Sequence, residues 1–236
     1  MIESKFSKVS KYLKTLATDF APLLEIPLTE ENICIIDLSE KNRVLYQMDL
    51  TDTGQFTQCI FEHIQKSGAM VGVGGYAENR PLYSRSENFA GPELRTIHLG
   101  IDIWAPADTV VYAPLVGKIH TFKNNAGFGN YGPTIILEHH LESHNFYTLY
   151  GHLTLESLAT ITPGQEISKG ELLGRIGNVD ENGSWPPHLH FQIITDLEGH
   201  EGDFPGVAAP SEADDYLKIC PDPNLILNIE SLKIPG

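Results

Sequence analysis

The chain has 236 residues, a formal net charge of -15, 41% hydrophobic residues and 20% charged residues. That is enough chain for one sizeable core, or for a core domain and a smaller companion, with the composition of a folded globular protein. The acidic balance argues against a nucleic-acid partner, because phosphate binding needs a concentrated basic surface. Cys34, Cys59 and Cys220 are widely spaced and form no CxxC pair, which argues against a disulfide framework and fits a reducing compartment. No run approaches the ~20 apolar residues of a transmembrane span. Residues 1–6 show neither an apolar signal core nor a small-residue cleavage site. The expected location is therefore the cytoplasm, with the periplasm or the exterior reached only by another export route.

Taken in order, residues 4–24 carry apolar positions at helical spacing (Phe6, Val9, Tyr12, Leu13, Leu16, Ala17 and Phe20). They predict an amphipathic helix whose stripe is packing surface. Ile33-Cys34-Ile35-Ile36, a turn at residues 39–42 and Val44-Leu45-Tyr46 predict a hairpin. Residues 53–66 predict a second helix, with Thr53 as N-cap, and an apolar segment follows at residues 69–73. Residues 1–75 thus form an N-terminal α+β region of unassigned role, and residues 76–94, rich in Gly, Pro, Asn, Ser and Arg, a loop or linker. Short strand-like runs then alternate with turns at 97–104, 109–113, 115–123, 133–140, 145–153, 166–168, 171–177 and 188–195. The expected fold class is mainly β, a two-layer antiparallel β-sandwich-like domain over residues 95–195. Residues 196–236, rich in Gly, Pro and Asp, are expected to form an irregular tail packed on that domain.

Three short motifs carry candidate chemistry. In Trp185-Pro186-Pro187-His188-Leu189-His190-Phe191-Gln192-Ile193 the alternation is strict, with Leu189, Phe191 and Ile193 on one strand face and His188 and His190 on the other. Two such histidines sit ~6.6 Å apart, so one imidazole can ligate a metal while its neighbour stands over the open position. A polar strand face with two histidines is the alternative. In His98-Leu99-Gly100-Ile101-Asp102 the outer residues are too far apart on an ideal strand to share an ion. Gly100 can supply the kink that draws them together; a solvated His and Asp is the alternative. In Tyr150-Gly151-His152-Leu153 a histidine ends a strand, and can face a cleft or the surface.

In order and spacing these motifs resemble the LytM/lysostaphin-type zinc metalloendopeptidases, hydrolases that act on peptidoglycan. The resemblance runs over residues 95–194, including the Gly-rich loop 124–132 and the segment 163–170. It implies a groove floored by zinc, with His98, Asp102 and His190 as metal ligands and His152 and His188 as the catalytic pair. Two imidazoles and a carboxylate leave a tetrahedral zinc one position open to water, the pattern of a catalytic site. Zinc lowers the pKa of such a water to ~7. No HExxH glutamate is present, and histidine, with a pKa of ~6.5, is the natural proton acceptor in its place. Loops 124–132 and 178–187 become groove walls, and Tyr131, Tyr150 and Trp185 candidate substrate contacts. The six other histidines are expected at the surface or in packing, with His139, His140 and His144 solvated at a turn.

The chain departs from that family in its N-terminal 75 residues, in lacking a recognisable wall-binding module, and in Trp-Pro-Pro where Ser/Thr-Gly-Pro is more usual. By analogy with latent members, Asn79 or Asn88 in the linker would fill the open metal position. The function expected first is zinc-dependent hydrolysis of a peptide bond in a peptidoglycan-type cross-link. The alternatives are a zinc amidase or peptidase acting inside the cell on a small peptide or modified metabolite, and a non-catalytic binding module.

Overall fold

The computed structural model describes residues 4–16, 19–141 and 144–233. In chain order it contains helix α1 (Lys5–Thr15), strand β1 (Ile33–Ile35), helix α2 (Thr53–Ser67) and strands β2 (Val71–Gly74), β3 (Ile97–His98), β4 (Ile101–Trp104), β5 (Val110–Tyr112), β6 (Gly117–Asn125), β7 (Gly132–Leu141), β8 (His144–Gly151), β9 (Glu166–Ile167), β10 (Leu172–Arg175), β11 (His188–Ile194) and β12 (Val207–Ala208). Helices α3 (Ala213–Leu217) and α4 (Asn224–Leu227) follow. The expected mainly β class holds. One eight-stranded sheet, in the order β1-β2-β4-β11-β8-β7-β6-β9, carries most of the structure, beside the small pairs β10-β5 and β12-β3. The partner layer is therefore much smaller than the main sheet. Val111, Ala113, Leu173 and Ile176 from the β5–β10 side share one apolar core with Ile119, Ile135, Leu137, Leu189 and Phe191 of the large sheet.

Every pairing in the large sheet is antiparallel except β1–β2. That exception replaces the expected hairpin. Parallel strands need a long crossover, and α2 supplies it between β1 and β2. Val44-Leu45-Tyr46, expected as the second hairpin strand, lie instead in a 3-10 turn (Arg43–Gln47) that buries Leu45 and is capped when the Asn42 side chain accepts from the Val44 N–H. Asp52, one residue earlier than expected, is the N-cap of α2, accepting from the Gln55 N–H at 3.0 Å, and Gly68 ends the helix at φ 77°.

The first helix is shorter than its periodicity suggested. It stops at Thr15 with Val9 and Leu13 fully buried. Ala17 lies outside the described residues. Phe20 belongs to an extended stretch beyond the helix, in which Leu23 accepts from the Tyr112 N–H at 2.9 Å and Leu24 bridges Val111. The apolar residues there match a strand edge as well as a helix face, and tertiary pairing decides. Nor is the C-terminal segment wholly irregular, since β12, α3 and α4 lie within it.

β2 and β4 pair directly, with Gly74 opposite Asp102. The N-terminal residues therefore extend the sheet that carries the histidine strand. No helix among the described residues is long and apolar enough to cross a membrane.

Candidate metal centre and cleft

The strand expected over residues 97–104 breaks at Gly100. His98 ends β3, which pairs with β12, and Asp102 lies on β4 in the large sheet. The break needs glycine for a steric reason as well. A Cβ at Gly100 would lie 2.6 Å from Cε1 of His190 and 2.8 Å from the Phe191 carbonyl oxygen. The chain can cross from one sheet to the other only by passing against the His190 ring. Asp102 is then the cross-strand partner of His190 on β11, and His190 is opposite Gly151 on β8.

The result is a triangle of ligand atoms. Nε2 of His98 is 3.0 Å from Nδ1 of His190 and 3.3 Å from Oδ1 of Asp102, and Nδ1 of His190 is 3.0 Å from the same oxygen. All three residues are buried. The opposite nitrogen of each ring is committed. Nδ1–H of His98 donates to the Gly75 carbonyl at 2.9 Å. Nε2–H of His190 donates to Oε1 of Gln192 at 2.9 Å, and the Gln192 amide is oriented by its own Nε2, which donates to the Pro205 carbonyl and the Cys220 sulfur. Two imidazole lone pairs and a carboxylate oxygen therefore converge with no proton of their own to share. Such an arrangement is repulsive until a cation or a proton enters, and holding a ligating ring through its other nitrogen fixes its tautomer.

The second oxygen of Asp102 is taken by Arg80. Its Nη1 donates to Oδ2 of Asp102 and, at 3.2 Å, to the Tyr83 hydroxyl, while Nε donates to Glu78 at 2.6 Å. Arg80 is fully buried and spans the two acids. For Asp102, burial opposes ionisation, but His98 and Arg80 outweigh it and hold the carboxyl well below the usual range. Burial first, and Arg80 second, push the His98 ring down to about 4. At neutral pH the site thus offers an ionised carboxylate and a neutral imidazole, the states a metal requires.

His152 and His188 face the same cleft. Nδ1–H of His188 donates to the Pro186 carbonyl at 2.7 Å, which leaves Nε2 unprotonated, 3.8 Å from Oδ1 of Asp102. The ring stacks on Trp104 at 5.7 Å and 22°. His152 donates from Nδ1 to the Asn182 carbonyl at 2.7 Å. Its backbone is left-handed, φ 64°, which costs an L-residue roughly 1–2 kcal/mol. Hydrogen bonds from the His152 N–H to Tyr131 (2.9 Å) and from the Gly177 N–H to His152 (2.8 Å) hold it there. The two rings lie 4.1 Å apart. Burial lowers the pKa of both, and that of His152 to well below the ordinary value, with His188 the next cause.

These side chains floor a cleft of about 330 Å³. The motifs are thus brought together as the sequence suggested, with one exception. Tyr131 lines the cleft and sets its hydroxyl 3.4 Å from Nε2 of His190, and Trp185 lines it while donating its indole N–H to the Asn130 carbonyl at 3.1 Å. Tyr150 does not line it. Its ring is fully buried against Phe191, with its hydroxyl 3.0 Å from that of Thr148, so the expected substrate contact is a core residue. Beyond the end of β8 the left-handed His152 turns to the cleft, whereas Tyr150 faces the core.

The linker also differs from its expected role. Asn88 spends its side-chain amide on the Phe128 carbonyl at 2.8 Å, Asn79 does not line the cleft, and Arg80 is the residue that reaches the ligand cluster. Sequence reasoning missed Arg80, Tyr83, Gln192 and Asn182. Gln192 alone carried a signal, since it continues the alternation of His188 and His190. His139, expected in solvent, is buried, and His200, expected to be incidental, lines the cleft.

Residues 96–202 match the family model described as Peptidase family M23. This M23-matching domain is under half of the chain. His98, Asp102, His152, His188 and His190 all lie within it, whereas Arg80, Tyr83 and Arg95 precede it. Among solved structures, a zinc containing peptidase from Vibrio cholerae is 26% identical over 42% of this chain and 27% of its own, with a TM-score of 0.34. Csd3 of Helicobacter pylori is 22% identical over 53% of this chain and 32% of its own, with a TM-score of 0.33. The catalytic domain of the antimicrobial peptidase lysostaphin from Staphylococcus simulans is 25% identical over 49% and 77%, with a TM-score of 0.35. The chain thus spans about a third or less of the first two proteins. No curated protein matches it.

Proposed function

We propose that the protein is a zinc-dependent peptidase that hydrolyses an amide bond, with peptidoglycan-type cross-link peptides the first substrate to try. The observation that carries this reading is the triangle of unprotonated ligand atoms beside two histidines that each keep one nitrogen uncommitted. The donor set suits zinc. Metal–ligand bonds of 2.0–2.2 Å in a tetrahedron set ligand atoms roughly 3.3–3.6 Å apart; one edge of the triangle, 3.3 Å, meets that spacing and the other two, 3.0 Å each, are slightly shorter. Asp102 can offer only Oδ1, because Arg80 occupies Oδ2. Zinc bound there would acidify a water and polarise the scissile carbonyl.

The chain's own residues do the rest. Nε2 of His188 and of His152 are the acceptors for the water proton, each ring fixed through Nδ1. With centroids 4.1 Å apart, the two rings do not both hold a proton, since like charges at that distance repel strongly in a buried site. One proton is therefore taken by the pair and returned to the leaving amine, and the imidazolium formed in between sits beside the carbonyl oxygen as charge develops on it. Tyr131 and Trp185 flank the substrate. Asn182 acts by positioning His152.

Mass spectrometry of purified peptidoglycan, and of short synthetic peptides, after incubation with zinc-loaded wild type and His188→Ala tests the proposal. New amine-ended fragments seen only with wild type, and lost on chelation, are expected. Wild-type protein with zinc bound that releases no fragment from either substrate would overturn it. The small-peptide alternative gains support from the cleft walls contributed by residues outside the M23 domain.

A further inference from the structure

Much of the cleft wall comes from outside the M23 domain. Leu38, Phe56, Leu82 and Phe89 precede it and Phe204 and Pro205 follow it, and all line the cleft. The catalytic rings are nearly inaccessible beneath these walls, His188 at 4% and His152 at 5% exposure. The cleft has a volume of about 330 Å³. It lies at the small end for ligand sites.

The charges in this cleft are unevenly spent. Arg80 is consumed by Asp102 and Glu78. His200 lies 3.9 Å from Asp203, which also pairs with Lys123 at 3.4 Å. Arg95 is different. Among the described residues no carboxylate lies within ion-pair distance of it. Its guanidinium lies over the Phe89 ring at 5.6 Å, and Nη2 donates to the Asn88 carbonyl. That leaves further N–H groups on a planar fork held at two points, a geometry suited to a carboxylate and already stripped of much of its rotamer freedom. In a chain with a net charge of -15, an arginine without an acidic partner at the cleft is the feature that would draw an anionic group there.

We infer that the substrate is a short peptide that ends inside the cleft, with its free C-terminal carboxylate on Arg95, so that one or two residues are released from that end. The inference rests on the peptidase reading above. The reaction is hydrolysis: water adds across the amide, the C–N bond breaks, a C–O bond forms, and the amine of the released piece takes the proton. Arg95 takes no part in that step. It is a specificity residue.

The test uses the full-length, zinc-loaded protein and an equimolar pool of N-acetylated tri- to pentapeptides ending in Ala, Leu, Phe or Lys, each as the free acid and the C-terminal amide. Wild type is expected to shorten the acids by one or two residues at least tenfold faster than the amides. Arg95→Gln should bring kcat/KM for the acids down towards that of the amides, chiefly through KM, and Arg95→Lys should recover part of the difference. Equal rates on acids and amides, or cuts only at internal bonds, would overturn the inference and leave the peptidase reading standing. If no peptide is cut, retention of the same pool by His188→Ala decides. Acids held in preference to amides, with the preference lost in His188→Ala/Arg95→Gln, support the carboxylate site while the peptidase reading fails. Equal retention sinks the carboxylate site itself.

Discussion

The buried histidines at the cleft and the buried His139 on β7 are wired differently. At the cleft, His98, His152, His188 and His190 each spend one nitrogen on a protein group and turn the other to the ligand triangle or the open space. His139, on β7, spends both. Nδ1–H donates to the Val116 carbonyl at 2.8 Å, Nε2 lies 2.7 Å from the Thr148 hydroxyl, and the ring stacks on Phe146 at 4.9 Å. Burial lowers the pKa of His139 to about 4, as it lowers that of His98. Burial and a depressed pKa therefore do not separate a structural histidine from a chemical one. An uncommitted nitrogen does, because only that atom can take up a metal or a proton in exchange for nothing already made.

The comparison breaks most visibly at His188. His188→Ala should cut kcat by roughly a hundred- to ten-thousand-fold, the usual worth of a general acid–base group, while zinc content by elemental analysis stays near one per chain. Loss of the metal together with turnover would instead place His188 among the ligands. A smaller effect is expected at Arg80, which orients Asp102 from outside the M23 domain. Removing such a partner typically weakens metal affinity by about 10- to 100-fold. Competition with a chromophoric chelator should show that loss for Arg80→Met and part of it for Arg80→Lys, which keeps the charge but not the fork. Unchanged affinity in Arg80→Met would reduce Arg80 to packing. By the same logic, removing residues 1–94 to test for a blocking segment also removes Arg80 and Leu38 from the site, so loss of activity in that truncation is expected.

What was legible in the sequence follows one rule. Strands whose side chains alternate under local control, such as 188–194 and 133–140, were found nearly to the residue, and so was the need for a kink at Gly100. The five candidate site residues are legible because short motifs carry them. Arg80 and Tyr83 sit in a Pro- and Ser-containing segment with no period, and pairings between residues distant in sequence, β2 with β4 and Asn79 with Ile97, bring it to Asp102. The parallel β1–β2 pair escaped for a similar reason: β1 is three residues long, and its partner lies beyond a helix. Tyr150, a candidate substrate contact only through the family resemblance, shows that closeness in sequence to His152 does not fix a side chain's face, because strict period two no longer holds across Gly151 and the left-handed turn.

His139 gives the comparison a pH test. Its folded pKa, about 4, lies below the ordinary 6.5, so as pH falls the unfolded chain takes up the proton first. The stability this ring contributes is complete above pH ~6.5 and is lost as the pH falls towards about 4. Chemical denaturation across that window should show a shallower acid limb for His139→Asn than for wild type, whatever its stability at neutral pH. Zinc should not alter the difference, since His139 touches no ligand. If zinc abolishes it, His139 and the cleft histidines are coupled and the contrast drawn between them fails.

Tyr150 supplies the smallest and most discriminating change. Its hydroxyl makes one described hydrogen bond, to Thr148, in a fully buried setting. Tyr150→Phe should therefore cost about 1 kcal/mol in denaturant unfolding, the net worth of a single hydrogen bond, and leave KM for any cleaved peptide unchanged. Tyr131→Phe, which removes the hydroxyl 3.4 Å from Nε2 of His190, should show the reverse pattern, with KM or zinc affinity moving and stability nearly constant. The two substitutions delete the same atom on either side of β8, so fold-wide effects cancel between them. A raised KM in Tyr150→Phe would mean that the core face of that strand opens to substrate, and the boundary between packing and chemistry would have to be redrawn one residue earlier in the chain.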